Sequence, residues 1–128
     1  LVLILGVVLF ACTQKTGFKI NVTLEGAEGQ IVLEERGESA WIPLDTADVK
    51  DGVAVLEGEV TVPAAYYLSV AGQRAKALVF VENTSMTVTG KADSINMIKV
   101  TGSATHDEYE TVNTQIQKIS EKYIGIYF

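Results

Sequence analysis

The sequence predicts an all-β fold, an antiparallel β-sandwich with one C-terminal amphipathic α-helix. Short alternating apolar segments recur between Phe18 and Thr101, with turn residues at the roughly 8–12-residue spacing of a sandwich. The hydrophobic period changes only once, near Thr105, to the 3–4 spacing of a helix. A single cysteine, Cys12, excludes an internal disulfide, so stability must come from a packed core.

In chain order, Phe18–Leu24 alternates strictly, with Phe18, Ile20, Val22 and Leu24 on one face of a half-buried strand. Glu25–Gln30 turns, Ile31–Arg36 is a second strand, and Gly37–Ser39 breaks it. Trp41–Leu44 is extended, and Pro43, which lacks an N–H, places it at an edge or a bulge. Asp51-Gly52 is a type I′ hairpin signal leading into Val53–Glu57, where Val53 and Val55 share a face. Gly58 reads as a bulge before Val60 and Val62, and Pro63 closes the run.

Tyr66–Val70 and Ala75–Val81 are strands about Ala71-Gly72-Gln73. The second is nearly all apolar from Ala77, which predicts a central strand covered on both faces. Met86–Thr89, ended by Gly90, and Ile95–Thr101 complete the strands. Thr105-His-Asp-Glu108 reads as a capping box, with Thr105 as N-cap. Tyr109, Val112, Ile116, Ile119 and Tyr123 then form one apolar stripe on a helix of about five turns. That stripe either packs on its own sandwich or docks on a following domain or a second copy.

The first eleven residues stand apart. Leu1–Phe10 is an uncharged, mostly aliphatic run, too short for the about 20 residues that span a bilayer as a helix and suited to the apolar core of a secretory signal. Leu9-Phe10-Ala11-Cys12 resembles a bacterial lipobox, whose cysteine is lipidated and becomes the mature N-terminus. The expected organisation is a signal peptide at 1–11, a lipidated N-terminus and linker at 12–17, the sandwich at 18–103, and the helix with its tail at 104–128. The expected location is the cell envelope, lipid-anchored to a membrane and facing the periplasm. The leader has no initiator Met or basic start, and the tail Ile124–Phe128 is apolar and uncapped. Both ends are therefore expected to continue in the natural protein.

Net charge of −6 without a basic stripe argues against a nucleic-acid partner. The acids Asp45, Asp48 and Asp51 are spaced by three, whereas an EF-type calcium loop needs alternate ligands and a closing Glu. Glu34-Glu35 and Glu57/Glu59 read as strand exteriors rather than an acid/base pair, and His106 as a surface residue at the helix start. No Gly-x-Ser-x-Gly elbow is present. The sequence therefore assigns no catalytic, cofactor or metal residue. Trp41, Tyr66 and Tyr67 could line a glycan- or peptide-binding surface by stacking, the alternative being core and edge packing.

An ordered series of short matches carries a family resemblance. It runs Phe18-x-Ile20, Gly29-x-Ile-Val-Leu33, Leu44-Asp45-Thr46, Asp51-Gly52, Leu56-x-Gly58-x-Val60 and Pro63. It continues with Phe80-x-Glu82-Asn83, Val88-x-Gly90 and Val100-Thr-Gly102-Ser103. Over roughly Phe18 to Tyr123 the chain resembles the N-terminal domain of unknown function (DUF4369-like) that precedes a thioredoxin-like domain in lipid-anchored AhpC/TSA thiol–disulfide oxidoreductases. The resemblance implies a non-catalytic accessory domain that positions or dimerises the attached redox domain. No Cys-x-x-Cys occurs in these 128 residues, so no oxidoreductase residue carries over. The expected partners are a membrane through Cys12, the attached thioredoxin-like domain and a second copy. The rival expectation is a stand-alone envelope lipoprotein that binds a glycan or peptide.

Overall fold

The computed structural model describes residues 17–127, with side chains to residue 120. The leader, Cys12, the side chain of Tyr123 and the end of the tail lie outside the described residues. Strands β1 (Phe18–Glu25), β2 (Gln30–Arg36), β3 (Trp41–Asp48), β4 (Val53–Gly58), β5 (Ala64–Val70), β6 (Lys76–Val81), β7 (Ser85–Lys91) and β8 (Lys99–Thr101) precede helix α1 (Ala104–Tyr127). They form two four-stranded sheets, ordered β4-β1-β7-β8 and β3-β2-β5-β6. The predicted sandwich with a C-terminal helix is what the chain adopts.

The alternating residues meet between the sheets. Phe18, Ile20, Val22 and Leu24 of β1 are buried, as are Ile31, Leu33, Leu68, Val79, Val81, Met86 and Val88. Each fully buried side chain of this size contributes about 1.5–3 kcal/mol relative to exposure. On β4 it is Ala54 and Leu56 that face this core; Val53 and Val55 do share a face, but the exposed one. Gly58 pairs in register with Phe18 and ends β4 without a bulge, and a Cβ there would lie 2.7 Å from Cζ of Phe18. The aromatic ring takes that space.

Five of the strand pairings are antiparallel, and β1 with β7 is parallel, aligning Lys19 with Ser85 and Glu25 with Lys91. This parallel pair puts β1 in the middle of its sheet. Pro43 satisfies both expectations: β3 is an edge strand, and its register with β2 shifts beside Pro43, where Leu44 is the extra residue. Asp51 and Gly52 have φ of 53° and 76°, the left-handed pair a type I′ turn requires. The turn closes with reciprocal Lys50–Val53 backbone bonds.

Two further expectations fail. Strand β6 is at an edge, not central. Ala77, Val79 and Val81 point into the core, while Leu78 and Phe80 are half-buried on the other face, where α1 packs. The helix supplies the second cover, so two-faced burial does not require a neighbour on each side. Ile95 is not in a strand either. Ala92–Met97 forms a short 3₁₀ segment that buries Ile95 and leaves Met97 exposed, and only Lys99–Thr101 pairs with β7.

Each of the four sheet edges carries a feature that disfavours further strand pairing. The edge of β3 carries Pro43 and the bulge, and β8 is three residues long. On β4, the Glu57 N–H donates to Asp45 Oδ2 at 2.8 Å across the two sheets. On β6, the Phe80 N–H donates to His106 Nδ1 at 3.2 Å. Thr84 joins the two ends of the domain: its carbonyl accepts Lys19 N–H at 3.0 Å, and its hydroxyl donates to Gly102 O at 2.9 Å.

Candidate functional site

The outer face of the second sheet carries a group of aromatic and charged side chains. Strand alternation places Glu34 of β2, Tyr67 and Ser69 of β5 and Lys76 of β6 on that face. Trp41, the first residue of β3, meets Tyr67 edge-to-face, with ring centroids 5.1 Å apart and planes at 77°. Lys76 Nζ lies 4.6 Å from the centre of the Trp41 ring and is also paired with the Glu34 carboxylate. Ser69 Oγ donates to the same carboxylate oxygen at 3.3 Å. Glu34 and Ser69 are buried, and Trp41 is 39% exposed. The result is an aromatic shelf with an internally neutralised ion pair beneath it. Such a shelf can stack a planar or sugar-like group; its carboxylate, held by lysine and serine, is poorly placed as a base.

Tyr66 does not belong to this shelf. It is buried in the core, on the opposite face from Tyr67. Period-two alternation forbids adjacent strand residues from sharing a face, a limit already contained in the sequence. Burial, and then the charge of Glu35, raise the Tyr66 phenol above its ordinary value of 10.0.

The helix start differs from the predicted box. The N-cap is Ser103, not Thr105: Ser103 Oγ accepts the His106 N–H at 3.0 Å. A further N–H of the first turn is satisfied from outside the helix: Glu82 accepts the Thr105 N–H at 3.2 Å. Bonds from the Ser103 side chain and then the Thr105 backbone hold the Glu82 carboxyl below its ordinary value of 4.5. This shift of cap turns His106 inward. It is buried, not a surface residue, with Nε2 3.2 Å from Glu110 Oε1 and its ring against Phe80 and Tyr109.

Of the helix stripe, Tyr109 packs on Phe80 at 5.0 Å between ring centroids. Val112, Ile116 and Ile119 are 53–55% exposed. Packing on the sandwich thus accounts only for the beginning of the stripe. The acidic series has separate structural roles. Asp45 caps Glu57, Asp48 accepts from Gln30 Nε2 at 3.1 Å, and Asp51 makes the turn. Among the described residues no group of three metal-ligating side chains converges. A groove of about 540 Å³ lies near the start of β1, with Lys19 and Glu57 as its charged lining residues.

The family model described as "Domain of unknown function (DUF4369)" matches residues 18–109. The chain belongs to this family. No curated protein and no solved structure matches it significantly. The DUF4369 match begins at the first residue of β1 and ends at Tyr109, whose ring rests on Phe80. Within the DUF4369 domain, several residues of the series Phe18 to Ser103 described above hold the fold. Gly58 admits Phe18, and Asp45 joins the sheets. Asn83 clamps both backbone groups of Val60, at 2.9 and 2.6 Å, while Glu82 and Ser103 cap α1. Gly102 has φ of +94° and no room for a Cβ, which would collide with the Ser85 carbonyl oxygen.

Proposed function

We propose that this chain is the non-catalytic accessory domain of a lipid-anchored periplasmic thiol–disulfide oxidoreductase, and that it positions the attached thioredoxin-like domain relative to the membrane. The observation that carries this reading is the course of α1. The helix continues from the DUF4369 domain past Tyr109 as an extended rod with an exposed apolar face. A 24-residue helix is about 36 Å long at 1.5 Å per residue, enough to hold a second module clear of the sandwich. The polar groups within the domain also support it. Among the described residues, each buried side-chain nitrogen and oxygen has a partner, and the family-pattern side chains fasten strands and caps rather than converge on a reactive centre.

In this reading Cys12 carries the lipid, and the redox-active cysteines belong to the attached domain. Tethering then keeps the oxidoreductase at high effective concentration near one membrane. The test is the coding sequence downstream of Phe128. A Cys-x-x-Cys domain in frame is expected, and a stop codon immediately after Phe128 would overturn the proposal. Mass spectrometry of the mature protein should find Cys12 acylated and residues 1–11 absent.

A second reading, a glycan- or peptide-binding envelope lipoprotein, is favoured by the Trp41–Tyr67 shelf. Trp41 is the only tryptophan, so its fluorescence reports ligand directly. Titration with oligosaccharides or peptides should shift its emission if the shelf binds them, and leave it unchanged if the domain only positions its neighbour.

A further inference from the structure

The exposed face of α1 is narrower than the stripe a helix lays on a globular surface. Tyr109, Val112, Ile116 and Ile119 follow spacings of 3, 4 and 3, and Tyr123 and Ile126 extend the pattern in sequence. From Glu108 to Lys122 the residues on either side of this line, Glu108, Asn113, Gln115, Ser120 and Lys122, are polar or charged. A helix that packs on a domain shows an apolar arc of roughly 100° or more, whereas a line confined to the a and d positions of a heptad is the seam of a coiled coil. The described part of that seam is exposed from Val112 onward.

We propose that the seam is covered by the same seam of a further copy of this chain, with the helices parallel. The parallel orientation rests on the functional reading above, in which every copy is anchored to the same membrane. Charge favours an identical partner. The chain carries net −6, yet Asp107, Glu110 and Glu121 fall on positions away from the seam. In a parallel pair the flanking contacts are Glu108 with Asn113 and Gln115 with Ser120, so no like charges meet across it. Val112, Ile116 and Ile119 place β-branched residues at both a and d, which favours three strands over two. The blunted sheet edges disfavour strand pairing as a rival mode of self-association.

The test is site-specific photo-cross-linking of the full chain in its membrane, with benzoylphenylalanine placed at Gln115 beside the seam or at Thr111 on the outer face. Irradiation at Gln115 should yield covalent dimers and trimers, with the cross-link mapping to residues 113–120 of another copy. Thr111 should yield at least tenfold less. Ile116→Glu should lower the Gln115 yield at least tenfold while circular dichroism and thermal melting of the sandwich stay unchanged. Cross-links to a different protein, to a later segment of the same chain, or to the opposite end of a second helix would overturn the proposal, as would none at all. A stop codon after Phe128 would remove the redox reading and leave a positive cross-link standing, so the two failures are distinguishable.

Discussion

Nδ1 of His106 accepts the backbone N–H of Phe80 at 3.2 Å, so the first turn of the helix closes the free edge of the strand it covers. For Nδ1 to accept, the ring proton must sit on Nε2, which faces Glu110 at 3.2 Å. His106→Ala would leave the Phe80 N–H without that partner and open a gap beside Tyr109. Loss of a buried hydrogen bond and of ring packing should together destabilise the domain by about 2–4 kcal/mol in urea unfolding. Amide exchange at Phe80 should accelerate, and His106→Asn, which retains an acceptor, should restore part of the protection.

The Glu82 cap predicts acid sensitivity at the helix start. Its folded pKa lies below the ordinary value, through the bonds from Ser103 and Thr105. The stabilisation is therefore present above the unfolded pKa and is lost as pH falls through the folded one. Glu82→Gln should cost about 0.3–1 kcal/mol at neutral pH, the range of an exposed charge at a helix N-terminus. The difference from the parent should vanish toward pH 3 in urea melts.

Tyr66 has the opposite sign. Its folded pKa is raised, so its contribution is present below the unfolded value near 10.0 and is lost as pH rises through the folded one. Tyr66→Phe should remove that part of the alkaline destabilisation above about pH 10 while leaving the melting curve at pH 7 little changed.

Removing Lys76 alone should be worse than removing the pair. Lys76→Met strands the buried Glu34 carboxylate with Ser69 as its remaining partner. Breaking a buried pair typically costs about 3–5 kcal/mol, and partial exposure of the lysine puts this site at the low end. Glu34→Gln combined with Lys76→Met should recover most of the loss. A double-mutant cycle by denaturant unfolding measures the coupling, and Trp41 emission should shift when its neighbouring ammonium is removed.

Two glycines at similar positive φ separate backbone strain from collision. A methyl group added at Gly72 would meet open space, whereas a Cβ on Gly102 would run into the Ser85 carbonyl oxygen. Gly72→Ala should cost about 1–2 kcal/mol, the left-handed penalty alone. Gly102→Ala should cost measurably more and loosen the joint between β8 and α1, seen as a larger drop in melting temperature.

What is legible in the sequence is local. Alternation identifies β1 and most of its partners, Asp51-Gly52 identifies the turn, and the 3–4 spacing identifies α1. The parallel β1–β7 pair is not legible, because nothing near Lys19 encodes a partner at Ser85. The helix cap misleads because Thr105-x-x-Glu108 satisfies the local box, while the real one borrows Glu82 from the loop after β6. His106 is buried because its ring packs against Phe80 and Tyr109 and its Nδ1 accepts the Phe80 N–H. Of the aromatic surface, Trp41 and Tyr67 do meet, and Tyr66 is separable by alternation alone. The exposure of Val112, Ile116 and Ile119 depends on how far the sandwich extends beneath the helix, which spacing does not encode.

Thr84 touches both Lys19 and Gly102, so the polypeptide arrives at the sandwich and departs from it at neighbouring points. The eight strands therefore hang as a side arm off the line between the start of β1 and the helix. Excising the arm and joining Gly17 to Ser103 by a short linker should leave the separation between residue 17 and the start of α1 almost unaltered.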